Sequence, residues 1–149
     1  MKISARDEYA CEAVLELALH YDIETPVRVQ DIAQRQGIPM KFLFQIMQIL
    51  KRVDIVRSRR GTEGGYTLSR SPSQITVGDV IRAMSGPFVQ LSCLDSGNFQ
   101  DDCGKQVTCQ FKPIWADVDR AIGNVLNNIT FEELVRRERA FHRPLMYHI

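Results

Sequence analysis

Pro39-Met40-Lys41-Phe42-Leu43-Phe44-Gln45-Ile46-Met47-Gln48-Ile49-Leu50-Lys51-Arg52-Val53 is the stretch on which the fold turns. Leu43, Ile46, Met47, Leu50 and Val53 recur at three- and four-residue steps, the pattern of a helix with one buried stripe. Opposite them Lys41, Gln45, Gln48 and Arg52 form an outward row spaced four, three and four apart. Two amides and two cations in one row suit the edges of base pairs. Glutamine pairs two-pronged with adenine, and Lys or Arg meets guanine or a phosphate. Met40, Lys41, Phe42 and Gln45, nearest the helix start, are placed to reach base edges first. Any solvated surface helix carries a polar row, so the neighbouring segments decide.

Upstream, Ala10, Val14, Leu17, Ala18 and Tyr21 share one face of a helix expected over 7–21. A short helix over Val29–Gln36 turns Ile32 and Ala33 inward, and Gly37 breaks it before Pro39 opens the next. Downstream the period changes. Ile55–Arg59 and Tyr66–Leu68 are strand-like and enclose Arg60-Gly61-Thr62-Glu63-Gly64-Gly65, whose glycines permit the positive φ angles of a tight hairpin. Arg57, Arg59 and Arg60 precede Gly61 at the tip, and Arg28 joins this cationic set. Such a β-wing can enter a narrow, A·T-rich minor groove, where negative potential is concentrated. The glycine loop lacks the Gly-Lys-Ser/Thr ending of a phosphate loop, which argues against nucleotide binding.

Charge follows the same division. Net charge is only +1, but residues 26–70 carry nine basic and three acidic side chains, while 1–25 carry two and six. A basic block between acidic or neutral flanks is the footprint of a nucleic-acid surface. No apolar run is long enough to span a membrane. Charged residues arrive too early after Met1 for a signal peptide, so a cytoplasmic location is expected. There is no Ser-His-Asp order and no His-Glu-x-x-His, so an enzyme is not expected.

The remaining chain reads as a second unit. Ser71-Pro72-Ser73 is a linker, Thr76 and Asp79 form a capping box, and a helix runs to Ser85 before Gly86-Pro87. Residues 88–108 are irregular. A long helix over Gln110–Asn128 then carries Phe111, Trp115, Val118, Ile122, Val125 and Ile129 at alternating steps of four and three, a seam suited to a partner helix. Thr130 and Glu133 cap a last helix over Phe131–Ala140. The expected fold is mainly α with a small β-wing. It comprises a winged helix-turn-helix over 1–86, a cysteine-containing segment over 87–109, and a dimerisation helix with a C-terminal helix over 110–149.

Val29-Gln30-Asp31-Ile32-Ala33, Gly37-Ile38, Arg60-Gly61-x-x-Gly64-Gly65-Tyr66-x-Leu68 and Thr76-Val77-Gly78-Asp79-Val80-Ile81 together give a specific signature. Over about residues 1–128 the chain resembles the Rrf family of winged-helix transcription regulators, which contains the IscR, NsrR and RirA types. The resemblance implies a homodimer on a palindromic or near-palindromic double-stranded DNA operator, the long helix of each subunit crossing the other.

Cys93, Cys103 and Cys109 are separated by nine and five residues. Thiolates are soft donors suited to iron–sulfur clusters and to zinc, but neither gap is the two-residue spacing of a zinc knuckle. A thiol redox switch and an inert triad are the other readings. The triad resembles the cluster ligands of the IscR-like branch, although its first gap is longer than usual there. That resemblance implies a [2Fe-2S] or [4Fe-4S] cluster with a fourth ligand. The family takes it from a histidine shortly after the third cysteine or from an acid near the partner's N-terminus. Lys112 occupies the histidine's place, whereas Glu8-Tyr9-Ala10 matches the acidic motif. Glu8 in trans is therefore the expected fourth ligand, with Asp7 the alternative. Cys11 reads as a small core residue.

Overall fold

The computed structural model describes residues 3–23, 25–91, 93–94 and 109–141. Helix α1 (Ala5–Leu19) leads, and α2 (Val29–Gln36) and α3 (Met40–Arg52) form the helix-turn-helix. Strands β1 (Val56–Arg59) and β2 (Gly65–Leu68) make the wing, followed by α4 (Val77–Ser85), α5 (Phe111–Leu126) and α6 (Phe131–Phe141). The architecture is the expected one, mainly helical with a single two-stranded antiparallel sheet among the described residues.

Helix α1 starts two residues earlier than its apolar period suggests, because Ser4 caps it. The Ser4 hydroxyl accepts from the Asp7 N–H while the Asp7 carboxylate accepts from the Ser4 N–H at 2.8 Å. It ends at Leu19, so Tyr21 falls in a 3-10 turn (Tyr21–Ile23) and is exposed instead of continuing the buried face. The remaining inner residues, Ala10, Val14, Leu17 and Ala18, are buried as their spacing requires. Gly37 closes α2 in the left-handed conformation, its φ of 65° being easy only without a Cβ. The turn aims α3 across α1. Its Leu43, Ile46, Met47 and Leu50 are all fully buried, each contributing about 1.5–3 kcal/mol of apolar burial. Val53 does not join them. It is the C-cap residue, outside the helical repeat, and is 45% exposed.

The wing pairs Val56 with Leu68 and Arg59 with Gly65, and Val27 adds an edge bridge to Tyr66 through backbone bonds of 2.8 and 2.9 Å. The glycines have a different cause from the one their sequence suggests. Gly61 does take a positive φ of 118°, but Gly64 and Gly65 do not. A Cβ on Gly65 would lie 2.5 Å from the Val27 carbonyl oxygen, and one on Gly64 2.7 Å from that of Arg59. Close backbone approach, not turn geometry, requires this pair.

Helix α4 carries the expected Thr76–Asp79 capping box, and Thr130 caps α6 by accepting from the Glu133 N–H. Phe131 is fully buried and Val135 nearly so, both in the cluster that contains Ala10, Leu43 and Leu50. Helix α6 thus completes the core of the N-terminal body, whereas α5 packs chiefly against α4. Among the described residues no helix is long and apolar enough to cross a membrane.

Gly65→Ala is expected to destabilise the chain by about 1–3 kcal/mol, read as a lower urea midpoint. An unchanged midpoint would mean that the Val27–β2 approach is looser than described.

Candidate DNA interface and cysteine site

Burial of the inner stripe of α3 fixes the opposite row. Lys41, Gln45, Gln48 and Arg52 are all exposed, and no hydrogen bond or ion pair to another described residue engages their side chains. Phe42 is 42% exposed on one flank. Met40 departs from the expectation: it is half-buried against the core, because it lies three positions before Leu43 and falls on the inner stripe. Sequence reasoning also passed over Phe44, 47% exposed, and Lys51 on the other flank.

Lys51 matters through its partner. Its ammonium donates to the Ser58 hydroxyl at 2.8 Å, joining the end of α3 to β1. Arg28, just ahead of α2, donates to the Thr62 carbonyl at 3.1 Å and so holds the wing tip against the helix-turn-helix. Arg60 and Gly61 border the groove between that tip and the start of α2. The wing arginines are not equivalent, however. Strand alternation puts Arg57 and Arg59 on the opposite face of the hairpin from Val56 and Ser58, and both line a cleft with His20 and Tyr21 at the end of α1.

The cysteine site is described in part. Cys93 and Cys109 are free and half-buried, and Cys103 lies outside the described residues. Glu8 is exposed on α1. Asp7, the alternative ligand, is almost wholly buried and both its oxygens are committed. One accepts from the N–H and hydroxyl of Ser4, the other from the Ser85 hydroxyl at 2.5 Å. The Asp7 carboxylate thereby ties the start of α1 to the end of α4. Its burial pushes the carboxyl pKa upward, but the hydrogen bonds from Ser85 and Ser4 and the charge of Arg6 outweigh that and leave it below the ordinary value. Burial, reinforced by Asp7 and Glu12, raises the Cys11 thiol to about 12, so Cys11 stays protonated and belongs to the packing of α1, as its spacing implied.

A family model described as Rrf2, iron-dependent transcriptional regulator, matches residues 3–137. The chain belongs to the Rrf2 family. It is 34% identical over 136 residues to protein rrf2 of Nitratidesulfovibrio vulgaris, covering 91% of this chain and 88% of that one. It is 35% identical to the HTH-type transcriptional regulator IscR of Vibrio campbellii, over 91% of this chain and 78% of its relative. Among solved structures, T. potens IscR matches with a TM-score of 0.76 at 31% identity, covering 99% of this chain and 95% of that one. CymR (YrzC), the global cysteine regulator of B. subtilis, matches at 0.71 and 29% identity, covering 92% and 98%. The chain is a DNA-binding transcription regulator of this family and not an enzyme.

Because the folded Asp7 carboxyl is the stronger acid, it contributes stability that is complete above its unfolded pKa, near 3.8, and lost as pH falls through the lower folded value. Asp7→Asn is therefore expected to lower the urea midpoint at neutral pH and to match the parent progressively more closely in acid. A deficit that stays constant down to low pH would show that the carboxylate's charge does not matter.

Proposed function

We propose that the chain acts as a homodimer on a near-palindromic operator, with the α3 row reading base edges in the major groove. Lys41, Gln45 and Gln48, with Phe42 beside them, take the base edges, and Arg52 and Arg28 meet phosphates. Arg60 and Gly61 at the wing tip approach the adjacent minor groove, with Arg57 and Arg59 supplying positive charge behind them. The observation that carries this reading is the unengaged polar row of α3, held outward by a fully buried opposite face. Two-fold pairing is supported by α5, where Phe111, Trp115, Val118 and Val125 are 63, 41, 39 and 61% exposed along one seam. An apolar stripe of that length on a helix calls for a partner, and two reading heads about 34 Å apart would match one turn of DNA.

We further propose that Cys93, Cys103 and Cys109 hold an iron–sulfur cluster with Glu8 of a second copy. The donor chemistry fits: soft thiolates for iron, and a carboxylate that is exposed on α1 and free of hydrogen bonds among the described residues. Asp7 is set aside because its oxygens already serve Ser4 and Ser85. Among the described residues no three metal-binding side chains stand together, so the site as proposed draws on Cys103 and on the second copy. A bound cluster would make the regulator responsive to redox state, iron, nitric oxide or cluster supply. The chain's own part is mechanical. Ser85 ends the helix just ahead of the cysteine segment, and its hydroxyl reaches Asp7 at the start of the reading head. Val89, in the same segment, donates its N–H to Asp119 of α5 at 3.0 Å.

On DNA selected from a random library by the parent chain, Gln45→Ala is expected to lose about 1–3 kcal/mol of discrimination at one base pair. Equal weakening on every sequence, measured by competition binding, would remove the base-reading role. Protein purified without oxygen is expected to contain iron and acid-labile sulfide, with Cys103→Ala depleting both. Their absence from the parent would leave a cluster-free regulator that answers to thiol oxidation, a small molecule or a protein partner.

A further inference from the structure

The reading above uses the charge of Arg57 and Arg59 but not the cleft that they line behind the wing. It has a volume of about 160 Å³ and lies between the end of α1 and the base of the hairpin. At roughly 30 Å³ per water, that is room for a phosphate or a small carboxylate. Arg57 and Arg59 line it with Thr67, Tyr21, Thr25 and His20. Two residues apart on one strand, the arginines' Cα atoms stand only about 7 Å apart, so two guanidiniums can converge on one group.

Charge in the cleft is one-sided. No carboxylate is among the described residues that line it. Of the described acids nearby, Glu16 accepts from Arg35 at 2.7 Å and from Gln36 at 2.9 Å, and Asp22 accepts from Arg139 at 3.2 Å. The side chains of Arg57 and Arg59 make no hydrogen bond or ion pair to any described residue. His20 is a wall and not a ligand, since one ring nitrogen faces the Glu16 carbonyl at 2.8 Å and the other the Arg35 guanidinium at 3.0 Å. The floor is apolar, supplied by the buried side chains of Leu17, Val27 and Leu68. Paired cations, hydroxyls and a dry floor in a half-enclosed cleft form a built receptor for an oxyanion.

We propose that this cleft binds a small oxyanion, a phosphate or carboxylate group held between Arg57 and Arg59 at the base of the wing. The group can belong to a free metabolite or to the DNA backbone. Arg59 also borders the groove beside the wing tip, so occupancy of the cleft bears on the segment that Arg28 and Lys51 position. A free ligand would thus tune the wing without touching the cysteine site.

The test is a calorimetric titration of the full chain, without DNA, with inorganic phosphate and pyrophosphate at low salt. Saturable binding is expected, weakened about tenfold or more in Arg57→Gln/Arg59→Gln, with circular dichroism reporting an unchanged fold. Thr67→Val, which leaves both charges in place, should weaken it less. Arg136→Gln, at an exposed position on α6, is the control for general charge loss. The source is decided on library-selected DNA. Phosphate that still binds the protein–DNA complex, with an unchanged salt dependence of DNA affinity in the double variant, assigns the cleft to a free ligand. Displacement by DNA, with a salt slope smaller by about two, assigns it to the backbone. No saturable binding together with an unchanged slope would overturn the proposal. So would an equal effect of Arg136→Gln. The DNA-free arm is independent of whether α3 reads bases.

Discussion

The outward row of α3 is positioned by the packing of α3 on α1. Four side chains of α3 are fully buried on one side, and burial at about 25 cal/mol per Å² of apolar surface leaves the helix no freedom to roll. A roll of one residue, about 100°, would bring Ile49 or Lys51 inward and turn Met47 or Ile46, respectively, out to water. The outward row is therefore determined by the inner one. Its amides and cations need no partners of their own within the protein, and that is what leaves them available.

The wing is positioned by thinner means. Val56 and Leu68 anchor its base in the core, but beyond them the hairpin depends on polar threads: Val27 along the β2 edge, Lys51 to Ser58, and Arg28 to Thr62. Individual hydrogen bonds of this kind are worth about 0.5–1.5 kcal/mol, far less than the seat of α3. The reading helix and the wing therefore differ in stiffness by construction. A signal acting on DNA affinity has more to gain at the wing and at its junction with α1 than at α3.

Legibility in the sequence follows the same gradient. Period alone located α3, and the period also divided its faces, because each buried position is over-determined by its neighbours three and four away. It failed at the ends, where a cap takes over from the repeat. Val53 and Tyr21 continue the apolar spacing but lie past the last helical turn. Met40 was assigned outward by nearness to the helix start, although its spacing from Leu43 places it inward. The wing was found from its glycines for a reason that was half right: Gly61 serves the turn, while Gly64 serves a close approach to the Arg59 carbonyl and Gly65 a contact with Val27 that lies far away in sequence. The Ser4–Asp7 cap was readable, being spaced like Thr76–Asp79. The Asp7–Ser85 bond was not, since nothing local in either residue points across the fold.

That bond changes how the two ends of the regulator relate. As an isolated acid near the N-terminus, Asp7 is interchangeable with Glu8 as a metal donor. In the folded chain the two adjacent acids differ, Asp7 turned inward as a strut to α4 and Glu8 exposed. A ligand taken by Glu8 would pull on the first turn of α1, one residue from the strut. The strut leads to Ser85, and the segment after it passes Phe88, buried beside Gly123 of α5, and Val89, bound to Asp119 of α5. The first turn of α1, the end of α4 and the seam helix are thus joined by a chain of short, directional contacts that does not pass through the α3 core. In the proposed dimer, displacement at the cysteine segment would therefore shift one N-terminal body relative to its mate while leaving each α3 seated as it was.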